Sequence, residues 1–219
     1  MTMVKFIVDG REIETEEGVN LLDACLDNEL YIPNLCRIKG AKGTPASCRL
    51  CFVEIDGSEN PVPSCTLTVQ EGMRVLTNTQ RVRALQKAAF ELLLSAHDVD
   101  CAHCPANKRC ELQRIAKFLK TGLKTKRLEK QLKKVPEKAD HPFLELYPNR
   151  CVLCGKCIQA CESTRKKSLL TFAGRGFDTI VSFYGLEDFV DETCEECRAC
   201  VDICPVAAIL VKGDSGKTI

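Results

Sequence analysis

The pattern of apolar and polar residues near the start of the chain predicts a β-hairpin followed by a helix. Val4 to Val8 alternates and is rich in β-branched residues, and Arg11 to Thr15 reads as the returning strand. Asp9-Gly10 between them is typical of a type I′ turn. Gly18 to Glu29 then carries apolar residues at helical spacing, which predicts one helix with a single buried face.

A second strand pair is predicted further along the same region. Leu50 to Ile55 ends at the turn dipeptide Asp56-Gly57, and Val62 to Val69 is predicted to return from it. Strands of mixed order around one helix indicate an α+β unit, which we expect to occupy residues 1–78.

The spacing changes to that of a long helix after residue 78. Asn78 or Thr79 is predicted to cap a helix that runs to about Ala96. A shorter helix is predicted from Lys108 to Leu119, and residues 79–118 are expected to form one helical segment. The apolar positions of the long helix recur at steps of three and four residues: Val82, Leu85, Ala89, Leu92 and Ala96, with Phe90, Leu93 and His97 on a neighbouring stripe.

Residues 117–138 are strongly basic, and residues 119–147 are predicted to be a linker. Its ordinary interpretation is a solvated surface, and the alternative is a docking patch for an acidic partner. Nucleic acid is not expected, because no aromatic residues are interleaved for base stacking. Residues 148–219 are predicted to be compact again, with a hairpin-like insert around Leu169 to Tyr184. The basic positions are Lys117, Lys120, Lys124, Lys126, Arg127, Lys130, Lys133, Lys134 and Lys138.

Composition singles out cysteine. The chain has 219 residues and 16 cysteines, whereas 31 Lys and Arg nearly balance 30 Asp and Glu for a formal charge of +1. No apolar run approaches the roughly 20 residues of a membrane span, and the first ten residues do not resemble a signal peptide. We therefore expect a reducing cytoplasmic location, where clustered cysteines are metal ligands more often than disulfides.

Two arrays in the C-terminal region share one spacing. Cysteines recur as Cys-x2-Cys-x2-Cys-x3-Cys, which is the spacing of bacterial two-cluster ferredoxins, where the fourth cysteine ligates the other cluster. Structural zinc also uses Cys-x2-Cys pairs, but the triple leaves a surplus thiolate in each array. Two [4Fe–4S] clusters are therefore predicted, one on Cys151, Cys154, Cys157 and Cys204, the other on Cys161, Cys194, Cys197 and Cys200.

The first cysteine group is looser and predicts a different cluster. A close pair, Cys48 and Cys51, lies between the more distant Cys36 and Cys65. A [2Fe–2S] cluster needs two thiolates for each iron, and this set provides them in the loops of a small sheet domain. A four-cysteine zinc site is the alternative.

The second group has three cysteines, Cys101, Cys104 and Cys110, and a cubane needs four ligands. His97 lies one turn before Cys101, where a helix ends, and is the predicted fourth ligand. His103 would have to fold back onto a cluster that its neighbours already hold, and His141 has no cysteine nearby. Fifteen cysteines plus His97 then make four sets of four, and Cys25 is predicted to be a buried apolar residue.

The order of these groups resembles a known family of redox subunits. It is similar to the N-terminal region of the large iron–sulfur subunit of complex I and of multimeric iron-only hydrogenases. In size the chain resembles the small diaphorase subunit of NAD-reducing nickel–iron hydrogenases. The stretches that carry the resemblance are Leu21-Leu-Asp-Ala24, Ile32-Pro-Asn-Leu-Cys36, Cys48-Arg-Leu-Cys51, Phe52-Val-Glu-Ile55, Cys110-Glu-Leu-Gln113, Asn149-Arg-Cys-Val-Leu-Cys154 and Ala173-Gly-Arg-Gly176.

The resemblance implies a plant-type [2Fe–2S] ferredoxin (β-grasp) domain, a helical segment with a histidine-ligated [4Fe–4S] cluster, and a two-[4Fe–4S] ferredoxin domain. It implies electron relay between a flavin-bearing NAD(P)H subunit and a catalytic partner, hydrogenase first, with formate dehydrogenase or a flavin-based bifurcating complex as alternatives. It also allows a thioredoxin-like [2Fe–2S] subunit as partner.

No Gly-x-Gly-x-x-Gly or Walker A motif is present, so we do not expect the chain to be an enzyme on its own. The alternative from another class is a zinc-stabilised interaction module.

Overall fold

The computed structural model describes residues 2–41, 43–125, 127–137, 139–166, 168–183 and 192–213. The chain divides into two compact units, Met1–Phe90 and Glu91–Ile219. The end of the predicted insert at Tyr184 lies outside the described residues.

The first unit is built on a five-stranded mixed sheet. The strands run in the order β2-β1-β5-β3-β4, with β1 and β5 parallel and every other pair antiparallel. This mixed order bears out the α+β prediction. The strands are β1 (Met3–Val8), β2 (Arg11–Glu16), β3 (Phe52–Ile55), β4 (Val62–Pro63) and β5 (Arg74–Leu76).

The predicted hairpin turn is confirmed, because Asp9 and Gly10 both have positive φ, at 49° and 86°, as a type I′ turn requires. The helix that follows, α1 (Leu21–Asp27), is shorter than predicted. Asn20 is the N-cap of α1, because its side-chain oxygen accepts a hydrogen bond from the Asp23 amide at 3.3 Å.

The predicted strand Val62 to Val69 is wrong beyond Pro63. The chain turns there into a 3₁₀ helix, Ser64–Thr66. Pro63 has no backbone N–H that could continue a strand ladder. The backbone N–H of Ser64 donates to the Cys51 carbonyl at 2.9 Å instead. The break matters because it places Cys65 beside the start of β3.

The long helix α2 spans Gln80–Ser95. Thr79 is its cap, since the Thr79 hydroxyl accepts from the Val82 amide at 3.1 Å. The predicted buried stripe is wrong at Leu92, which is 60% exposed. The predicted positions Val82 and Ala89 are buried, and the most deeply buried positions follow four-residue steps that include a polar residue: Val82, Gln86, Phe90 and Leu94.

The second unit contains short helices around two small sheets. Strands β10, β7 and β6 form one antiparallel sheet, and β8 pairs with β9 as the predicted hairpin. The elements are α3 (Glu111–Leu119), β6 (Ala139–Asp140), β7 (Leu144–Leu146), α4 (Lys156–Arg165), β8 (Leu170–Ala173), β9 (Ile180–Phe183), α5 (Glu192–Cys197), α6 (Ala199–Asp202) and β10 (Ile209–Val211).

The basic segment is attached to the second unit by several contacts. Arg127 pairs with Glu91 at 2.5 Å, and the Gln131 amide donates to the Ser95 carbonyl at 2.7 Å. The interpretation of a fully solvated surface is wrong at Lys133, whose residue is only 6% exposed. Within the described part of the chain, no helix is both long and apolar enough to cross a membrane.

Candidate iron–sulfur cluster sites

The structure brings the first four cysteines together in the interior of the first unit. All four are buried, and the Cys36 and Cys48 sulfur atoms lie 3.5 Å apart. Cys65 interacts with the side chains of both Cys36 and Cys51. The four thiols therefore form a continuous series of neighbours, Cys48–Cys36–Cys65–Cys51.

Short backbone devices set the positions of these cysteines. Arg49, between the close pair, has a left-handed φ of 52°, which turns the chain so that Cys48 and Cys51 can serve one site. The Ser64 amide and hydroxyl both donate to the Cys51 carbonyl at 2.9 Å. Cys65 is thereby fixed to the strand that begins after Cys51.

The crowded sulfur atoms strongly perturb one another's protonation. Hydrogen bonds from Cys48 and Cys65 hold the pKa of Cys36 far below its ordinary value, and a bond from Cys65 lowers the pKa of Cys51 to about 7. The two donors have raised pKa values because they give protons to those thiolates. All four cysteines are buried together, and two of them, Cys36 and Cys51, are readily deprotonated. This arrangement matches the ligand chemistry of a [2Fe–2S] cluster.

A buried ion pair supports the loop after Cys36. Arg37 makes two hydrogen bonds to the Asp23 carboxylate, at 3.2 and 2.6 Å. Its remaining nitrogen donates to the carbonyls of Ala41 and Gly43, at 3.0 and 3.1 Å. The guanidinium therefore connects α1 to the loop between the first two cysteines, and it also interacts electrostatically with Cys36 and Cys65.

The second predicted ligand set lines a single small pocket in the second unit. His97 and the three cysteines all face it. His97 is 9% exposed, and its Nδ1 lies 2.9 Å from the Arg150 carbonyl oxygen. Because a carbonyl can only accept, Nδ1 carries the proton and Nε2 keeps a free lone pair, the arrangement that orients a metal-binding histidine. Burial also lowers the pKa of His97, which favours the neutral ring.

The other two histidines have different surroundings. The His103 side chain is 82% exposed and its Nδ1 lies 2.8 Å from the Asp100 carboxylate. His141 is buried against the ring of Phe183, at 4.5 Å between centroids. Neither lines the cavity that His97 and the three cysteines share.

The third set also shares a small pocket. Cys151, Cys154 and Cys157 line it together with Cys204, which is distant in sequence. Backbone amides point at two of the sulfur atoms, from Leu153 to Cys151 at 3.4 Å and from Ala208 to Cys204 at 3.2 Å. Burial raises the pKa of Cys151 to about 12, a cost that metal coordination would offset.

The fourth set gathers beside the third. Cys200 interacts electrostatically with Cys161, Cys194 and Cys197, and the Leu169 amide donates to the Cys161 sulfur at 3.4 Å. Helix α4 carries Cys157 and Cys161, one from each set. The fourth cysteine of each array therefore lies with the first three of the other. No combination of His, Cys, Asp and Glu among the described residues forms a group that could hold a single metal ion by itself.

Sequence reasoning did not find the residues that support these sites. Arg37 carried a weak signal, since it directly follows a predicted ligand. The Arg150 carbonyl and the buried Lys133 carried none, because backbone acceptors and burial leave no mark on a spacing pattern.

Two family models and several known proteins match this chain. Residues 1–80 match a family described as 2Fe-2S iron-sulfur cluster binding domain, and residues 86–122 match the NADH-ubiquinone oxidoreductase-G iron-sulfur binding region. The crystal structure of an NAD⁺-reducing [NiFe]-hydrogenase superposes with a TM-score of 0.83 at 28% identity, covering 96% of this chain and 88% of that one.

Three curated relatives have similar identity. The NADP-reducing hydrogenase subunit HndD of Solidesulfovibrio fructosivorans is 30% identical over 96% of this chain and 36% of its own length. The NADPH-Fe(3+) oxidoreductase subunit alpha of Geobacter sulfurreducens is 32% identical over 96% of this chain and 24% of its own length. The NADH-ubiquinone oxidoreductase 75 kDa subunit of Reclinomonas americana is 30% identical over 96% of this chain and 30% of its own length.

The chain is thus an iron–sulfur protein related to subunits of NAD(P)-linked oxidoreductase complexes, and the resemblance predicted from its sequence is confirmed. Both [2Fe–2S] and [4Fe–4S] binding regions are represented in it. It spans about a quarter to a third of the length of these curated relatives, between 24% and 36%.

Proposed function

We propose that this chain is an electron-transfer subunit that holds one [2Fe–2S] and three [4Fe–4S] clusters. The observation that carries the proposal is the gathering of sixteen ligand candidates into four separate sets of four, two of which line cavities of their own. When bound, such clusters accept and release single electrons.

The four proposed ligand sets lie in three of four proposed regions of the chain, and the fourth region is a linker. Residues 1–78 form the plant-type [2Fe–2S] domain, 79–118 the histidine-ligated [4Fe–4S] domain, 119–147 the basic linker and 148–219 the two-[4Fe–4S] ferredoxin domain. The cavity shared by Cys204 and the first C-terminal array supports the interleaved ligation of the last region.

The chain's own residues perform three tasks in this role. They bury the thiolates away from water, they direct backbone amides at sulfur, and at one site they substitute a neutral imidazole for a thiolate. Each of these changes the charge or the polarity around a cluster, and these are the factors by which a protein sets cluster potentials.

The proposed partners are a flavin-bearing NAD(P)H subunit on one side and a catalytic subunit on the other. Hydrogenase is the favoured catalytic partner, because the NAD⁺-reducing [NiFe]-hydrogenase structure matches nearly the whole of both chains. The same relay role in a formate dehydrogenase or a bifurcating complex is the alternative, and a thioredoxin-like [2Fe–2S] subunit fits either. We propose that the chain has no turnover of its own and works in the cytoplasm.

Metal content tests the proposal. The chain should be purified anaerobically with a tag, and iron, zinc and acid-labile sulfide should be counted per polypeptide. We expect a brown protein with about fourteen irons, two from one rhomb and twelve from three cubanes. Co-purified subunits identified by mass spectrometry then name the partners. A colourless, zinc-containing protein would favour an interaction module and end the relay proposal.

A further inference from the structure

Lys133 is a buried cation in the middle of a basic segment. The residue is 6% exposed, whereas its neighbour Lys134 is exposed. Among the residues that the structure describes, its ammonium has no hydrogen-bond or ion-pair partner. An unpaired charge removed from water is unfavourable unless something nearby compensates it. A group of opposite charge in the interior of the second unit would provide that compensation.

The backbone of Lys133 is held close to a proposed ligand. Its amide donates to the side-chain oxygen of Asn149 at 2.8 Å, and the Asn149 side-chain nitrogen donates back to its carbonyl at 3.2 Å. Asn149 is two residues before Cys151, which lines the third cavity with the rest of its set. Lys133 and Cys151 interact electrostatically, and this attraction opposes the lowering of the Lys133 pKa by burial.

We propose that the Lys133 ammonium is the counter-charge of the cluster held by Cys151, Cys154, Cys157 and Cys204, and that it raises the reduction potential of that cluster. This inference rests on the proposed function. One electron, supplied by the NAD(P)H-linked flavin subunit or by dithionite in the test, enters the oxidised cluster, and no proton is transferred. The added negative charge is stabilised by a largely buried cation, which water screens less than an exposed one.

Three variants of the full chain separate charge from shape. Lys133→Gln removes the charge, Lys133→Arg keeps it, and Lys134→Gln removes the same charge at the adjacent exposed position. Each anaerobic holoprotein is titrated with dithionite while its EPR signals are followed. The relevant signal is assigned as the one that Cys154→Ser removes or alters.

We expect Lys133→Gln to make reduction of that cluster about tenfold less favourable, which is about 59 mV for one electron. Lys133→Arg and Lys134→Gln should leave the potential near that of the wild type. If Lys133→Gln loses the signal while Lys133→Arg keeps it, the requirement for a cation is supported as well. An intact signal with an unchanged potential in Lys133→Gln overturns the inference. Loss of the signal in both Lys133→Gln and Lys133→Arg also overturns it, because it would show that the site requires the shape of the lysine side chain and not its charge.

The two proposals fail in different ways. A wild-type protein that lacks the [4Fe–4S] signal contradicts the proposed function. A wild-type protein that has the signal, with variants that do not move its potential, contradicts only the role of Lys133.

Discussion

His97 shows how one side chain can set the charge of a redox site. The Arg150 carbonyl, 2.9 Å from Nδ1, fixes the ring so that Nε2 is the nitrogen left to bind metal. The neutral imidazole gives this site one negative charge fewer than a site with four thiolates. Reduction adds a negative charge, so it should be easier here than at an otherwise equal all-cysteine cluster.

We therefore expect His97→Cys to lower the potential of this cluster by an amount on the order of 100 mV, judged by the effect of histidine ligation in other clusters. The measurement is an EPR-monitored redox titration of the anaerobic holoprotein. His103→Cys is the matched control, because the His103 side chain is 82% exposed and directed at Asp100. An unchanged potential in His97→Cys would remove His97 from the ligand set.

Cys25 offers the opposite test, because it is the cysteine without a proposed cluster. It is fully buried on α1 among apolar residues, and burial raises its pKa to about 12. We expect Cys25→Ala to leave iron and sulfide content unchanged while it lowers the free energy of unfolding by about 1 kcal/mol, as for other small losses in a core. Iron analysis and urea unfolding measure both quantities. The comparison variant, Cys36→Ser, should lose the [2Fe–2S] visible absorption, and loss of that absorption in Cys25→Ala would contradict the assignment.

At the scale of elements, α1 and the loop after Cys36 are joined by the buried Arg37–Asp23 pair. The two side chains are only 7% and 10% exposed. Removing one partner of such a pair leaves the other charge buried without compensation. We expect Asp23→Asn to lower the free energy of unfolding by about 3 kcal/mol and to make the [2Fe–2S] cluster easier to lose. Urea titration followed by circular dichroism and visible absorption measures both effects.

The neighbouring Lys39–Asp27 pair provides a control of the same chemistry at the surface, where the side chains are 71% and 47% exposed. Exposed pairs contribute less than about 1 kcal/mol, so Asp27→Asn should be nearly neutral. Equal destabilisation by both substitutions would show that burial of the ion pair is not what holds the loop.

The elements that the sequence predicted well are those with strong local signals. Asp9-Gly10 demands a tight turn, and Thr79 is a good helix cap, so both were predictable. Strand β5 has only three residues, too few for an alternation of apolar and polar residues to be recognised in the sequence. It is a strand because it pairs with β1 on one side and β3 on the other. Pro63 should have limited the next strand, because it has no backbone N–H to continue a ladder, yet Val62 to Val69 was predicted as one strand.

The candidate site was more predictable than the fold around it. Ligand spacing is a local property, because a cluster is gripped by neighbouring turns, and the interleaving of Cys204 with the first array follows from that spacing. The supporting groups are contacts between distant segments. Arg37 meets Asp23, and Lys133 meets Asn149, only after the chain has folded.

For the molecule as a whole, bound iron should carry much of the stability. The chain has 9 Phe, 3 Tyr and no Trp, and eight of the sixteen proposed ligands are buried. Removing the metal would break the bonds by which each cluster joins separate segments of the chain, and it would leave the cluster sites empty. We expect iron chelation under anaerobic conditions to unfold the chain, as seen by loss of helical circular dichroism. A chelated protein that keeps its thermal transition would show that the apolar core suffices.

The net charge of the molecule should also depend on its metal content. The polypeptide has a formal charge of +1, with every cysteine counted as neutral, and a sequence pI near 7.4. Three oxidised all-thiolate clusters at about −2 each and a histidine-ligated cubane at about −1 would bring the total to about −6. We therefore expect the anaerobic holoprotein to focus well below pH 7 in isoelectric focusing, and the apoprotein, with its thiols reduced and held in urea, to focus near the value of the sequence.

Because Lys133→Gln removes one further positive charge without altering a ligand, it should shift the holoprotein to a still lower pH. A fully loaded holoprotein that focuses near pH 7.4 would be incompatible with fifteen thiolate ligands.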